Sequence, residues 1–320
     1  MLLIPSEKWF DIIFGGVNAK KYCPKCGGIS TKKHGFFKGK QRYRCKYCGV
    51  VFILRKDWVE QAYKDYALRH LDIAEIALKY GKSASCVWKR FDSFKDRSDF
   101  KILSDKNINL IIDTTYFGRG SGYMIFRANG RNIYFDWTEQ ETVAAMAKCL
   151  SVLDNWNYTY KSFTIDGRKG FIEYLKMRYP NTPIQFCQFH QKQIIKRCIT
   201  NKPQTLCGQE LKAIMTDFCQ HDYDTFNFIY TKLRERWDSF LKEKNDKAQY
   251  KHRMLRRAFF SLKRHMPYLF TYKGYEHFKI PNTTNSCDGY FRHLKAKINR
   301  HCGLSKKRKA KLISFILKNF

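Results

Sequence analysis

Acidic residues are scarce in this chain: 28 Asp and Glu stand against 61 Lys and Arg in 320 residues, a formal net charge of +33. A compact fold with that excess repels itself unless a polyanion neutralises it, and the commonest polyanion for a soluble protein is nucleic acid. Long apolar runs are missing as well. None approaches the ~18 to 20 residues that a bilayer span requires, so no membrane segment is expected. The opening stretch, with Glu7, Trp9 and Asp11 inside a short apolar run, lacks the basic-then-apolar order of an export signal. The expected location is therefore the cytoplasm, in association with the nucleoid. There the twelve cysteines stay reduced, which favours metal ligation over disulfides. No Ser, Tyr or Cys nucleophile constellation stands out, which points away from a covalent protein intermediate. Apolar residues, by contrast, are plentiful: 44% hydrophobic and 16% aromatic content can build a real core, and the length suits two or three domains.

Cys23-Pro-Lys-Cys26-Gly and Cys45-Lys-Tyr-Cys48-Gly are two Cys-x2-Cys pairs with 18 residues between them. Two intervening residues make a turn tight enough for each pair to wrap one side of a tetrahedral Zn²⁺, and the glycine after each second cysteine relieves the backbone. Four thiolates leave no open coordination position, so the site is structural, replacing a core that ~30 residues could not form alone. Redox reactivity is the competing use of such thiols. Between the pairs, Lys32, Lys33, Lys38, Lys40, Arg42 and Arg44 surround His34, Phe36, Phe37 and Tyr43, a basic and aromatic hairpin suited to nucleic acid.

From Asp57 to about Arg97 the pattern turns helical. Leu71, Ile73, Ala74, Ile76, Ala77 and Leu78 form an apolar stripe, Gly81 breaks it, and a serine-capped segment repeats it through Val87, Phe91 and Phe94. This is the pattern of a helix-turn-helix whose second helix would set Ser83, Ser85, Lys89 and Arg90 near a DNA duplex.

The run Ile108-Asn-Leu-Ile-Ile-Asp113 then reads as a buried strand with an acid at its end. Strands over 123–128 and 132–137, a helix over 141–156, a strand at Ser162-Phe-Thr-Ile-Asp166, a helix over 170–179 and a strand over 184–189 complete the order βββαβαβ, a mixed sheet flanked by helices. Two acids at the ends of apolar strands, 53 positions apart, are costly unless paired or metal-bound, and two converging ones suggest a Mg²⁺ (or Mn²⁺) site. The plain alternative is a pair of turn or cap residues. A third acid, Asp288, falls in the first turn of a helix that Thr284 or Asn285 can cap, with Phe291, Leu294 and Ile298 along one face.

The phrases Ile112-Asp113-Thr-Thr-Tyr, Thr164-Ile-Asp166-Gly-Arg-Lys-Gly, Cys187-Gln-Phe-His190 and Asn282-Thr-Thr-Asn-Ser-Cys-Asp288 resemble the Mutator-type bacterial insertion-sequence transposases, in a variant with an amino-terminal zinc ribbon. The resemblance runs from Asp113 to about Ser305. It implies a ribonuclease H-like catalytic core of mixed α/β class, interrupted by a helical insertion, with Asp113 and Asp166 as the first two acids of a metal-binding triad. Asp288 takes the third place, where many relatives carry Glu; Glu276 is its rival, but lacks a capped amphipathic helix. The family has a Cys-x2-His pair at this point, so His190 stands either to contact a scissile phosphate or to orient a carboxylate.

The implied organisation is a zinc ribbon over 1–56, a helix-turn-helix over 57–98, the first part of the core over 108–200, the helical insertion over 201–280, and the last core helix with a basic tail over 281–320. The implied activity is cleavage of double-stranded DNA at the terminal inverted repeats of an insertion sequence and strand transfer into target DNA, by at least a dimer. The catalytic set is Asp113, Asp166, Asp288 and His190. The expected DNA contacts are Lys38, Arg42 and Arg44 in the ribbon, Lys89 and Arg90 in the helix-turn-helix, and Lys306, Lys307 and Arg308 as a backbone clamp. An inactive DNA-binding regulator and a structure-specific nuclease are the alternatives.

Overall fold

The computed structural model describes residues 23–53, 58–96, 99–100, 102–166 and 169–319, with residues 169 and 285–288 described by their backbone alone. The chain divides into two compact units, Met1–Tyr63 and Lys64–Phe320.

In the first unit, β1 (Thr31–Phe37), β2 (Lys40–Cys45) and β3 (Val51–Ile53) pair antiparallel in that order. Of residues 23–53 only Cys23 and Cys45 are buried, so apolar packing contributes little here. The four cysteines supply the missing centre. Cys23 Sγ lies 3.4 Å from Cys48 Sγ, and Cys26 Sγ lies 3.6 Å from Cys45 Sγ. Each pair is turned by its following glycine: Gly27 and Gly49 both take φ of +72°, donating to the carbonyls of Cys23 and Cys45. A side chain at either position would strain that turn.

Helix α1 (Trp58–Arg69) crosses the division. In the second unit, α2 (Ile73–Tyr80) opens on a reciprocal cap, Asp72 accepting from the Glu75 amide at 2.8 Å while Glu75 Oε2 accepts from the Asp72 amide at 2.7 Å. Such a box stabilises a helix start by ~1 kcal/mol. Gly81 ends α2, and Ser83 caps α3 (Ala84–Ser93) through the Cys86 amide. Ile76, Val87 and Phe91 are buried between them, but Leu78 is 86% exposed and belongs to no stripe. Asp65 of α1 is wholly buried, and it accepts from Lys79 Nζ at 2.6 Å and Tyr80 Oη at 2.8 Å, fastening α1 to α2.

A five-stranded sheet follows, in the order β6-β5-β4-β7-β8: β4 (Asn107–Tyr116), β5 (Gly122–Ala128), β6 (Arg131–Thr138), β7 (Thr159–Ile165) and β8 (Ile184–Phe186). β5 runs antiparallel to both β4 and β6, whereas β4–β7 and β7–β8 are parallel. The parallel steps need crossovers, provided by α4 (Val143–Asn155) and α5 (Lys169–Arg178). Met146, Leu150 and Leu153 of α4 and Phe171 and Leu175 of α5 bury one sheet face against Ile108, Leu110, Ile112, Phe163 and Ile165. The expected order βββαβαβ holds. The last strand stops at Phe186, three residues short of expectation, because α6 (Gln188–Ile199) begins there.

A second core lies among α6, α7 (Leu206–Thr216), α8 (Tyr223–Arg236), α9 (Asp238–Lys242) and α10 (Arg253–Leu269), centred on Phe186, Phe218, Phe226, Phe259 and Leu262. Phe228 of α8, by contrast, is 65% exposed. Two buried glutamines join this layer to the sheet edge, the side-chain amides of Gln185 and Gln188 both donating to the Leu269 carbonyl at 2.9 Å. The chain closes with α12 (Asn285–Asn299), after a short α11 (Thr271–Gly274), and α13 (Lys306–Asn319). Phe291, Leu294 and Ile298 of α12 are buried as the periodicity requires, each by ~1.5 to 3 kcal/mol of transfer free energy.

Candidate active site

Strand alternation decides which way the acids face. Ile108, Leu110 and Ile112 enter the core under α4 and α5, so Asn109, Ile111 and Asp113 face the opposite side of β4. On β7, Phe163 and Ile165 enter that core, which sends Ser162 and Thr164 to the same opposite side, with Asp166 next in the alternation. The parallel register pairs Leu110 with Phe163 and Ile111 with Thr164, an offset of 53 positions. Asp113 and Asp166 are separated by that same 53, so the register, carried on past the end of β7 at Ile165, would bring Asp166 opposite Asp113 at about the ~5 Å spacing of neighbouring strands. Asp113 falls within β4 rather than at its end, and is 6% exposed. Its Oδ1 accepts from the Thr114 amide at 2.8 Å.

The segment leading into α12 crosses this face. Asn109 Nδ2 donates to the Phe278 carbonyl at 2.7 Å, and Thr164 Oγ1 to the Pro281 carbonyl at 2.8 Å. The Gln188 amide donates to the Asn282 carbonyl at 3.0 Å. Thr284 is then locked at the start of α6: its amide donates to Cys187 Sγ at 3.1 Å, and its Oγ1 lies 3.3 Å from both Cys187 Sγ and His190 Nδ1. Thr284 occupies the N-cap position of α12 without capping it, because its hydroxyl is turned to Cys187 and His190 instead. The helix that carries Asp288 therefore starts beside His190. The Asp288 side chain itself lies outside the described residues. Its rival Glu276 sits in an exposed single turn before α12.

His190 lies within electrostatic reach of both acids. Burial works against charge on its imidazole, but the Cys187 side chain and the carboxylates of Asp113 and Asp166 outweigh it, and the pKa is raised to about 9. An imidazolium here offsets the repulsion of two carboxylates brought together on one face.

In the first unit the sulfurs of Cys23, Cys26, Cys45 and Cys48 all lie within 4.8 Å of one another, the donor set and spacing of a structural metal such as zinc. The Cys26 amide holds the Cys23 thiol down to about 6, the direction that favours a thiolate ligand. Among the described residues no other group of three or more His, Cys, Asp or Glu comes close enough to hold a metal ion.

Lys38, Arg44, Lys89, Arg90, Lys306 and Lys307 are exposed on their respective units, and Arg42 is half-buried. Arg308 is engaged: its Nε and Nη2 donate to the two Asp92 oxygens at 2.8 and 2.6 Å, and its guanidinium lies 4.0 Å from the Trp88 ring centroid. Gln185 and Gln188 carry no local sequence signal of their role, and Thr284 reads only as a helix cap, because its actual partners lie 94 and 97 positions away. Among the described residues, no helix is long and apolar enough to cross a membrane. Comparison with protein-family models and with curated proteins finds no match for this chain.

Proposed function

We propose that this chain is a DNA transposase, binding the ends of a mobile element and catalysing strand cleavage and strand transfer. The observation that carries the reading is the matched 53-residue offset, in sequence and in strand register, that aligns Asp113 with Asp166 on the sheet face crossed by the α12 lead-in. The strand order, three antiparallel strands followed by two parallel ones with helical crossovers, supports a ribonuclease H-like core. Asp113, Asp166 and Asp288 are the residues that would hold divalent metal, and Mg²⁺ or Mn²⁺ bound there would activate the attacking hydroxyl and stabilise the leaving 3′ oxygen.

The remaining contributions come from the chain's own groups. Asp113 and Asp166 are prepaid in position by the sheet, so they need no reorganisation to act together. His190, held by Thr284 at Nδ1, offers a ring N–H donor to a phosphate oxygen approaching the two acids. The lead-in and first two turns of α3 expose Lys82, Ser83, Ser85, Lys89 and Arg90, which can meet a DNA groove and backbone. The ribbon adds exposed lysines and aromatics on its own unit.

The test uses a DNA substrate carrying the sequences that flank the gene, incubated with Mg²⁺. The unmodified protein is expected to nick at defined ends, while Asp113→Asn and Asp166→Asn lose cleavage to background yet bind the same DNA within about twofold. Cleavage that survives both substitutions removes the carboxylates from the chemistry. Binding without cleavage by the unmodified protein identifies a regulator instead, and cutting of branched DNA irrespective of ends identifies a nuclease.

A further inference from the structure

The helical layer carries a cavity of about 310 Å³ between α8 and α10, lined by Tyr223, Asn227, Tyr230 and Arg234 on one side and Lys263 and Pro267 on the other. That volume falls in the range of small-ligand sites. Its floor is fixed: Tyr230 is buried, and its hydroxyl donates to the Phe259 carbonyl at 2.9 Å. Its rim carries the Tyr223 ring, 41% exposed.

The lining is cationic. Arg234 Nε is buried with no hydrogen-bond partner, and the nearest carboxylate, Asp238, stands 3.8 Å from Nη2, beyond hydrogen-bond length. Glu235 also borders the space, but its carboxylate is taken by Lys232 at 3.1 Å. Lys263 is exposed, and α10 contains Arg253, Arg256, Arg257, Lys263 and Arg264 without a single acid.

We propose that this cavity receives one unstacked nucleotide from a DNA strand lying along the basic face of α10. The base rests against Tyr223, with Asn227 and Thr231 available to its edge, and the phosphate meets Lys263 and Arg234. A bare anion would use neither the aromatic rim nor the amide, a metal cation is repelled by the lining, and an apolar ligand would seal off Arg234 Nε, which has no hydrogen-bond partner, at a cost. The site rests on the polynucleotide reading of the strand carboxylates and extends it. The carboxyl end of α10 is bonded through Leu269 to Gln185 and Gln188, so a nucleotide held here sits at a fixed offset from the cleavage site.

The full-length, zinc-loaded chain is titrated with two hairpin duplexes of one sequence, 2-aminopurine being unpaired in the first and paired in the second. The expected result is tighter binding of the unpaired probe by roughly tenfold, the scale of one base–aromatic stack, with a change in 2-aminopurine fluorescence. Tyr223→Ala and Lys263→Gln should each abolish that preference and that change, leaving affinity for the paired duplex within about threefold. Both positions are exposed, and thermal unfolding checks that the variants fold. Equal binding of the two probes, or a preference that both variants retain, overturns the cavity proposal while leaving the DNA reading intact. If neither duplex binds, both fall together.

Discussion

Two histidines on adjoining helices illustrate how neighbours decide charge. His190 gains a proton relative to free histidine because two carboxylates and the Cys187 side chain outweigh its burial, whereas burial, aided by Arg264, pushes His265 down to about 4. His265 Nδ1 donates to Gln191 Oε1 at 2.8 Å, and its ring packs 4.4 Å from that of Phe186, inside the helical core. The signs of their linkage are opposite. A depressed histidine stabilises the fold above the unfolded pKa of ~6.5 and loses that contribution as pH falls toward its folded value. The gap from 6.5 to about 4, at ~1.4 kcal/mol per pH unit, bounds the His265 effect at the order of 3 kcal/mol. A raised histidine contributes fully below ~6.5 and loses its contribution as pH rises through about 9. Urea unfolding of His265→Gln should therefore show a shallower loss of stability from pH 6.5 to 4.5 than the parent, and metal-free His190→Gln a shallower loss from pH 7 to 9. Parallel curves for either pair remove that histidine from the linkage.

At the scale of elements, α13 is the bracket of the second unit. It buries Leu312, Ile313, Phe315, Ile316 and Leu317, its Ala310 carbonyl accepts from Tyr123 Oη at 3.3 Å, and its Leu317 carbonyl accepts from Asn132 Nδ2 at 3.2 Å. Its other side grips α3 through Arg308 on Asp92 and Trp88, and through Lys311 on the Phe91 carbonyl. Both partners of the ion pair are partly exposed, at 35% and 48%, so screening limits its worth to under ~1 kcal/mol. Arg308→Ala should thus leave global unfolding nearly unchanged while amide exchange in α3 quickens several-fold; a large global loss would show that the bracket itself needs Arg308. This also marks where sequence reading stops. The cysteine spacing, the element order and the strand acids are local patterns, legible because they repeat with the periods of turns, helices and strands. Arg308 reads as a phosphate clamp until its carboxylate partner, 216 positions away, is seen, and Thr284 reads as a cap until Cys187 reaches it. The strand at 184–189 is overlong by three residues because an apolar run looks alike in a strand and in a buried helix start.

At the scale of the molecule, the two units draw stability from different sources, and that separates their responses. The described residues of the second unit include at least two large apolar clusters, while residues 23–53 bury only Cys23 and Cys45. Zinc binding by the four cysteines then amounts to folding of the ribbon. One zinc per chain is expected by metal analysis. Chelation should expose four reactive thiols and abolish amide protection over 31–53, with protection of β4 and β7 retained; loss of both together would mean the units fold as one. The net charge of +33 is shared by the whole chain and sets the remaining expectation. Each phosphate neutralised releases counterion, so log K for duplex DNA should fall against log salt with a slope of about −0.9 per contact. Exposed Lys89, Arg90, Lys306 and Lys307 in the second unit, with Lys38 and Arg44 in the ribbon, make about six contacts a reasonable complement, hence a slope near −5. Chelation removes the ordered ribbon and should flatten that slope by about 2, because two of the six cations go with it. A slope that chelation leaves unchanged assigns all the phosphate contacts to the second unit and leaves the ribbon's lysines and exposed phenylalanines for another purpose.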